Sequence, residues 1–321
     1  MTAAVSNESR IEAVRERLYA LAQASGALKC YLLMQTADLP DELDDHLQQA
    51  MSAAGIEPVQ AKIAQLPARY WPVLVTLNLR EGLHSAVSAQ AVSLAMADTE
   101  PQSLRRGKVQ RTCAWIFSDM SIDEVARHIA TTAVAHHPAS HKNRWVRYYD
   151  PMVADLFWRA CTPGQHLHFL RGIAHWAYID RWQQLQLVQP SRIGEGPVSP
   201  LTAPVWERLQ GVGALNQAWL RARSEGLEIE PDRLWRAAAS LQQGYRSGLR
   251  KHVDLDLFAW QAIQLGPDFY RHDKVQALLK QASEGHDYGE LAHQLDDAQW
   301  HRIGLEAGTT RAQSAQERES P

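Results

Sequence analysis

Cysteine is scarce in this chain: Cys30, Cys113 and Cys161 are far apart and odd in number, so they make neither a complete disulfide framework nor a Cys-x-x-Cys metal knuckle. A reducing compartment fits that usage. Also missing is any apolar run approaching the roughly 20 residues a membrane span needs, and Met1 to Arg10 is polar, without a basic stretch leading into an apolar one. The expectation is a soluble, cytoplasmic protein with no membrane insertion. Neither charge dominates: 33 Lys plus Arg against 36 Asp plus Glu leave a formal net charge of −3. No overall basic field exists to hold a phosphate backbone, and no nucleic-acid partner is expected. What the chain does have is 45% apolar and 21% charged residues over 321 positions, enough for a sizeable core and for two domains.

The first half alternates between two periods. Ile11, Val14, Leu18, Leu21 and Ala22 fall at helical spacing ahead of Gly26, and Cys30 to Met34 reads as a strand. A helix over Asp41–Ala54 ends at Gly55, a short extended piece covers Val59 to Ile63, and Val73 to Leu77 suits a buried strand. Ser85 to Met96 reads as helix and Thr112 to Phe117 as strand. Ser121-Ile-Asp-Glu124 has capping-box spacing for a helix from Ile122 to about Val134. Trp145 to Tyr149 reads as a further strand, and Pro151 opens a helix through Ala160. His166 to Leu170 and Ala174 to Val188 read as a strand pair about Arg171-Gly172. This alternation predicts an α/β N-terminal lobe, a mixed sheet with flanking helices, over 1–190.

Pro190 to Pro204 holds four prolines and two glycines in fifteen residues, which marks residues 191–204 as a linker. Beyond it only helical stripes recur: Val205, Leu209, Val212, Leu215 and Trp219, then Leu234, Ala238, Leu241 and Tyr245, then Leu255, Phe258 and Ala262. An all-α C-terminal lobe over 205–305 is expected. The nearly apolar-free stretch that follows, 306–321, reads as a disordered tail.

Motifs for chemistry are wanting. The sequence contains no Gly-x-Ser-x-Gly, no Walker loop and no His-Glu-x-x-His, and its glycine pairs at Gly194/Gly196 and Gly211/Gly213 lack the third glycine of a dinucleotide loop. His136, His137 and His141 sit where Pro138 breaks any helical pairing, and they read as ordinary loop residues. On a strand, His166 and His168 would share a face and offer two metal ligands, but no third stands out. Asp254 and Asp256 precede an apolar helical run and read as helix-capping acids. Cys113 reads as a small core residue. No catalytic residue, metal or cofactor is expected, and a metal-dependent hydrolase using His166, His168 and an unseen acid is the catalytic alternative.

Tryptophan is more informative. Trp206, Trp219, Trp235, Trp260 and Trp300 fall in the helical half, accompanied by Arg223, Arg236 and several further arginines. Each tryptophan fits a core, yet Trp, Tyr and Arg are also what interfaces concentrate. Trp206, Trp219, Arg223, Trp235, Arg236, Tyr245 and Trp260 are therefore the candidate partner-binding residues, lining a groove for a partner's apolar segment.

The most specific string is Arg147-Tyr148-Tyr149-Asp150-Pro151, preceded by Trp145 and followed by an apolar helix. It resembles the Arg-Tyr/Phe-Tyr-Asp-Pro signature of a type VI secretion family, the effector adaptors or chaperones first catalogued as a domain of unknown function. Cys30-Tyr-Leu-Leu-Met34, Pro72-Val-Leu-Val75, and Trp115-Ile-Phe-Ser118 with His128 resemble the pieces that precede that signature, and the likeness covers about residues 28 to 188. Gln35 and Thr36 stand where the family often has Asp-Gly, and Met152 where Arg commonly follows the proline. The resemblance implies a non-catalytic adaptor whose partners are a toxin effector and the VgrG spike, with the helical remainder recognising a particular cargo. An immunity-type protein that inhibits the effector is the binding alternative. Read physically, Asp150 is placed to cap the helix that Pro151 opens, and Arg147 to pair with a nearby acid or carbonyl.

Overall fold

The computed structural model describes residues 7–35, 42–105, 110–190 and 200–307. They divide into two compact units at Val205/Trp206. Most of the expected linker and nearly all of the expected tail, 191–199 and 308–321, lie outside the described residues, as do residues 36–41.

In the first unit the elements run α1 (Asn7–Ala24), β1 (Lys29–Met34), α2 (Glu42–Ala53), β2 (Val59–Gln60), β3 (Val73–Leu77), α3 (Gly82–Asp98) and α4 (Pro101–Arg105). They continue with β4 (Thr112–Ser118), α5 (Ile122–Thr132), β5 (Val134–His137), β6 (Lys142–Trp145), α6 (Pro151–Ala160), α7 (Pro163–Phe169), β7 (Ile173–Ile179) and β8 (Leu185–Val188). Six strands form one sheet in the order β2-β3-β1-β4-β7-β8, and β5 with β6 forms a separate two-stranded ribbon.

Every neighbouring pair in the large sheet is antiparallel, where a mixed sheet was expected. The reason is topological. β3 and β4 run the same way, as a strand-helix-strand crossover requires, but β1 is inserted between them and runs oppositely. Sequence alternation fixes the order of elements and leaves this insertion open.

Both faces of the sheet are covered, which explains why β1 and β4 read as nearly continuous apolar runs. On one face Leu32, Val75, Trp115, Phe117, Ala177 and Ile179 pack with Val14 and Leu18 of α1, Leu47 of α2, and Val87, Ala91 and Val92 of α3. Trp176, one residue out of phase, points to the opposite face and joins Tyr148, Phe157, Trp158 and Phe169.

Two strand expectations are corrected here. The segment His166–Leu170 lies mostly in helix α7, opened by a Thr162/Gln165 capping box with Pro163 in the first turn. The strand pair is instead β7 and β8, hinged at Asp180–Gln184, where Asp180 Oδ1 accepts the Trp182 and Gln184 N–H groups at 2.9 and 2.8 Å. Gly172 still has a fixed role. It has φ 74°, which a side chain rarely adopts, and a Cβ there would also lie 2.6 Å from Met120 Sδ and push that side chain aside. The other correction concerns Trp145–Tyr149: the strand is β6, one turn of chain earlier, and Val146 to Asp150 form the corner into α6.

The second unit is helical throughout its described residues. α8 (Ala203–Gln210) contains the division, and α9 (Val212–Ser224), α10 (Pro231–Arg246), α11 (His252–Leu265), α12 (Asp273–Ser283) and α13 (Tyr288–Ala292) follow. The last helix, α14, spans 297–307. α11 is the central element, with Leu255, Phe258, Ala259, Ala262 and Ile263 buried and with α9, α10 and α13 against it. Gly244 of α10 permits that closeness, since a Cβ would lie 3.2 Å from the Phe258 ring. Asp254 is no cap: it sits in the first turn of α11, buried, and accepts the Gly289 N–H at 2.9 Å. The N-cap is Lys251.

Candidate functional site

The signature string is a corner between the β5–β6 ribbon and α6. Asp150 Oδ1 accepts the Met152 N–H at 3.0 Å and so caps α6, while Pro151 occupies the first helical position. Its other oxygen, Oδ2, meets Arg147 Nη2 at 2.8 Å, and the Asp150 N–H donates to the Arg147 carbonyl at 2.9 Å. One carboxylate thus closes the turn and starts the helix. Arg147 also donates to Gln35 Oε1 at 3.3 Å and lies over the Trp145 ring at 5.6 Å. Gln35 in turn donates its N–H to the Arg111 carbonyl at 2.7 Å, joining the corner to the end of β1. There Arg111 holds Asp98 at 2.5 Å and Asp44 at 2.6 Å.

Tyr148 points inward. Its ring lies 5.0 to 5.9 Å from Phe157, Trp158, Phe169 and Trp176, and its hydroxyl is 2.7 Å from Thr132 Oγ1. Thr132 donates to the His128 carbonyl at 2.8 Å, which leaves its oxygen free to accept from the phenol. Burial pushes the Tyr148 pKa well up, so the phenol stays protonated and structural. His128 bonds the Phe169 carbonyl through Nε2 at 2.8 Å, and burial pushes its pKa down, so the ring is a neutral donor. Tyr149 and Cys113 are buried beside the corner, and burial raises the Cys113 thiol far from any thiolate role.

The histidines considered as ligands do not converge. Two residues apart on a helix, His166 and His168 face different ways, and His166 Nε2 donates to the Trp158 carbonyl at 2.8 Å. His136 and His137 lie in β5, and His137 Nδ1 accepts the Ser140 N–H at 3.2 Å to close the ribbon turn.

The seven candidate partner-binding residues of the helical unit do not form one surface. Trp206, Trp219 and Trp260 are 8%, 1% and 3% exposed and belong to the interior. Arg221 stacks on Trp260 with 4.6 Å between guanidinium and ring. Arg223 and Arg236 are exposed, and Trp235 and Tyr245 are half-buried. Tyr245 donates its hydroxyl to the Gln210 carbonyl at 2.9 Å and lines an open cleft of about 510 Å³ with Glu207, Gln210, Gln242, Arg246 and Arg250. Arg246 ends α10 and Arg250 lies in the loop after it, and the cleft depends on where α8 lies.

Sequence reasoning also passed over the ribbon before the corner. Lys142, Asn143, Arg144 and Trp145 are all exposed.

Residues 30–167 match the family model described as Domain of unknown function (DUF4123). The DUF4123 match begins on β1 and ends in α7, so it takes in the whole corner, the ribbon and α6, and covers less than half of the chain. Comparison with curated proteins and with solved structures finds no match. The helical unit lies entirely outside the DUF4123 match.

Proposed function

We propose that this chain is a non-catalytic adaptor, or chaperone, that binds a type VI secretion toxin effector in the cytoplasm and helps load it onto the VgrG spike. The observation that carries the reading is the Arg147-to-Pro151 corner. Its sequence resembles the signature of the type VI effector adaptors, and it lies inside the residues that match DUF4123. The chemistry of that corner supports a scaffold over a reaction centre. Asp150 is occupied by a helix N-terminus and Arg147, and Tyr148 by Thr132 and four aromatic rings.

An adaptor works by association free energy. Hiding a toxin's apolar surface until loading favours the bound state by mass action, and release follows when the spike competes or dilution lowers the free concentration. The test is co-purification of this chain with a type VI toxin and a VgrG spike protein from the same cells, together with deletion of its gene. Loss of delivery of one toxin, with the producer unharmed, is the expected result. Poisoning of the producer would make the chain an immunity protein instead. Tightly bound stoichiometric metal with turnover of a small compound would replace both readings.

A further inference from the structure

The ribbon of β5 and β6 stands apart from the six-stranded sheet, and its two strands pair only with each other among the described residues. Two-stranded ribbons need packing to persist in water. α5 abuts β5, while all four residues of β6 are left exposed.

Charge is concentrated on the same segment. Between Glu124 and Asp150 there is no acidic residue, yet Arg127, Lys142, Arg144 and Arg147 and four histidines fall there, in a chain whose net charge is −3. Lys142 and Arg144 sit opposite His137 and Ala135 and share one face of the ribbon. Neither makes an ion pair among the described residues. On the other face Trp145 is 38% exposed, with the Arg147 guanidinium over its ring. Arg147 Nη2 is held by Asp150 at 2.8 Å and Gln35 at 3.3 Å, which fixes the guanidinium in place over that ring. A lysine on a strand edge also discourages unwanted pairing, but that purpose calls for neither an exposed tryptophan nor an acid-free stretch around it.

We propose that this ribbon docks an acidic surface of a protein partner, with Lys142 and Arg144 meeting carboxylates and the stacked Trp145 and Arg147 supplying the anchoring contact. The proposal rests on the adaptor reading for its need of a partner. Charge complementarity selects the occupant, and Trp beside Arg is the composition of interface anchors. A nucleic acid fits less well, because the chain outside the ribbon carries an acidic excess that repels a polyanion. The ribbon also lies within the DUF4123 match, which suits a partner common to such proteins better than an individual cargo.

The experiment titrates the full-length protein with a fluorescent Glu/Tyr peptide, and in parallel with a single-stranded oligonucleotide and with phosphatidylserine vesicles. Wild type is expected to bind the peptide in a salt-sensitive manner. The double variant Lys142→Glu/Arg144→Glu should bind about tenfold more weakly or worse, with its thermal midpoint unchanged. Should the reversal disturb folding, Lys142→Gln/Arg144→Gln removes the charge without inverting it and should show the same loss. Equal peptide binding by wild type and a folded variant overturns the proposal, as does preference of wild type for the oligonucleotide or the vesicle. Co-purification separates this failure from that of the adaptor reading. If the folded variant still captures toxin and spike as wild type does, the ribbon is excluded and the adaptor stands. If wild type captures neither, the adaptor reading falls, and with it the docking role.

Discussion

At the scale of single residues, Asp150 is the side chain on which the corner turns, because it caps α6 through one oxygen and binds Arg147 through the other. Replacing it by Ala should cost about 0.5 to 2 kcal/mol, the range of a lost N-cap, measured by urea unfolding. Asp150→Asn should recover part of that, since the amide oxygen still caps, and any loss of partner capture should track the loss of stability. Full stability with abolished capture would make Asp150 an interface residue instead. Asp180 gives a second, pH-dependent test. Burial first, and then the nearby Asp155 carboxylate, push its pKa up to about 6. The folded state therefore holds this proton more tightly than the unfolded state does. Its contribution to stability is complete below the ordinary carboxylate range and is lost as pH rises from about 4 to about 6, by on the order of 3 kcal/mol. Asp180→Asn should flatten that part of the stability profile, whatever its effect on absolute stability. A variant that declined with pH in parallel with wild type would mean that Asp180 does not hold a proton.

Between elements, α6 is tied to the β7–β8 hairpin by a buried ion pair. Arg181 Nε meets Asp155 Oδ2 at 3.0 Å and Arg181 Nη2 donates to the Met152 carbonyl at 2.9 Å, with both side chains almost wholly buried. Removing one partner strands the other charge in a dry setting. Asp155→Ala should accordingly cost about 3 to 5 kcal/mol, read from chemical denaturation, whereas Asp155→Ala combined with Arg181→Met should recover much of it. How much of this level was legible varies with the signal. Ser121-x-x-Glu124 and Asp150-Pro151 announced the starts of α5 and α6, because capping is local chemistry written in adjacent residues. The same signature, Thr162-Pro-Gly-Gln165, stands ahead of α7, where the aromatic run at His166–Leu170 alone suggests a strand. Trp145–Tyr149 misled in a related way. Tyr148 and Tyr149 are buried by a corner, with Tyr148 packed on α6, α7 and β7, while Trp145 stays exposed at the end of β6, so the three aromatics carry no two-residue strand period.

For the molecule as a whole, the change of hydrophobic period near residue 200 made an α/β part and a helical part readable, because each period follows from how one element buries one face. Surface identity was harder to read. Trp219 and Trp260 look like interface residues by composition and are interior by packing, since exposure depends on which helices come together. The DUF4123 match lies wholly within the first unit, and the second unit lies wholly outside it, a division with a functional consequence. If the ribbon serves a shared partner, the spike, and the helical unit serves the individual toxin, the two capacities should be separable. A chain ending at Gln210, the last residue of α8, retains every element of the first unit with its covered sheet. It should unfold cooperatively in a thermal melt and still capture the spike protein, while capture of the toxin is lost. Exchanging the segment after Gln210 for the corresponding segment of another adaptor should redirect the choice of toxin and leave spike capture intact. Toxin bound at full strength by the shortened chain would place cargo recognition on the α/β unit, and the buried tryptophans of the helical unit would then have only an architectural role.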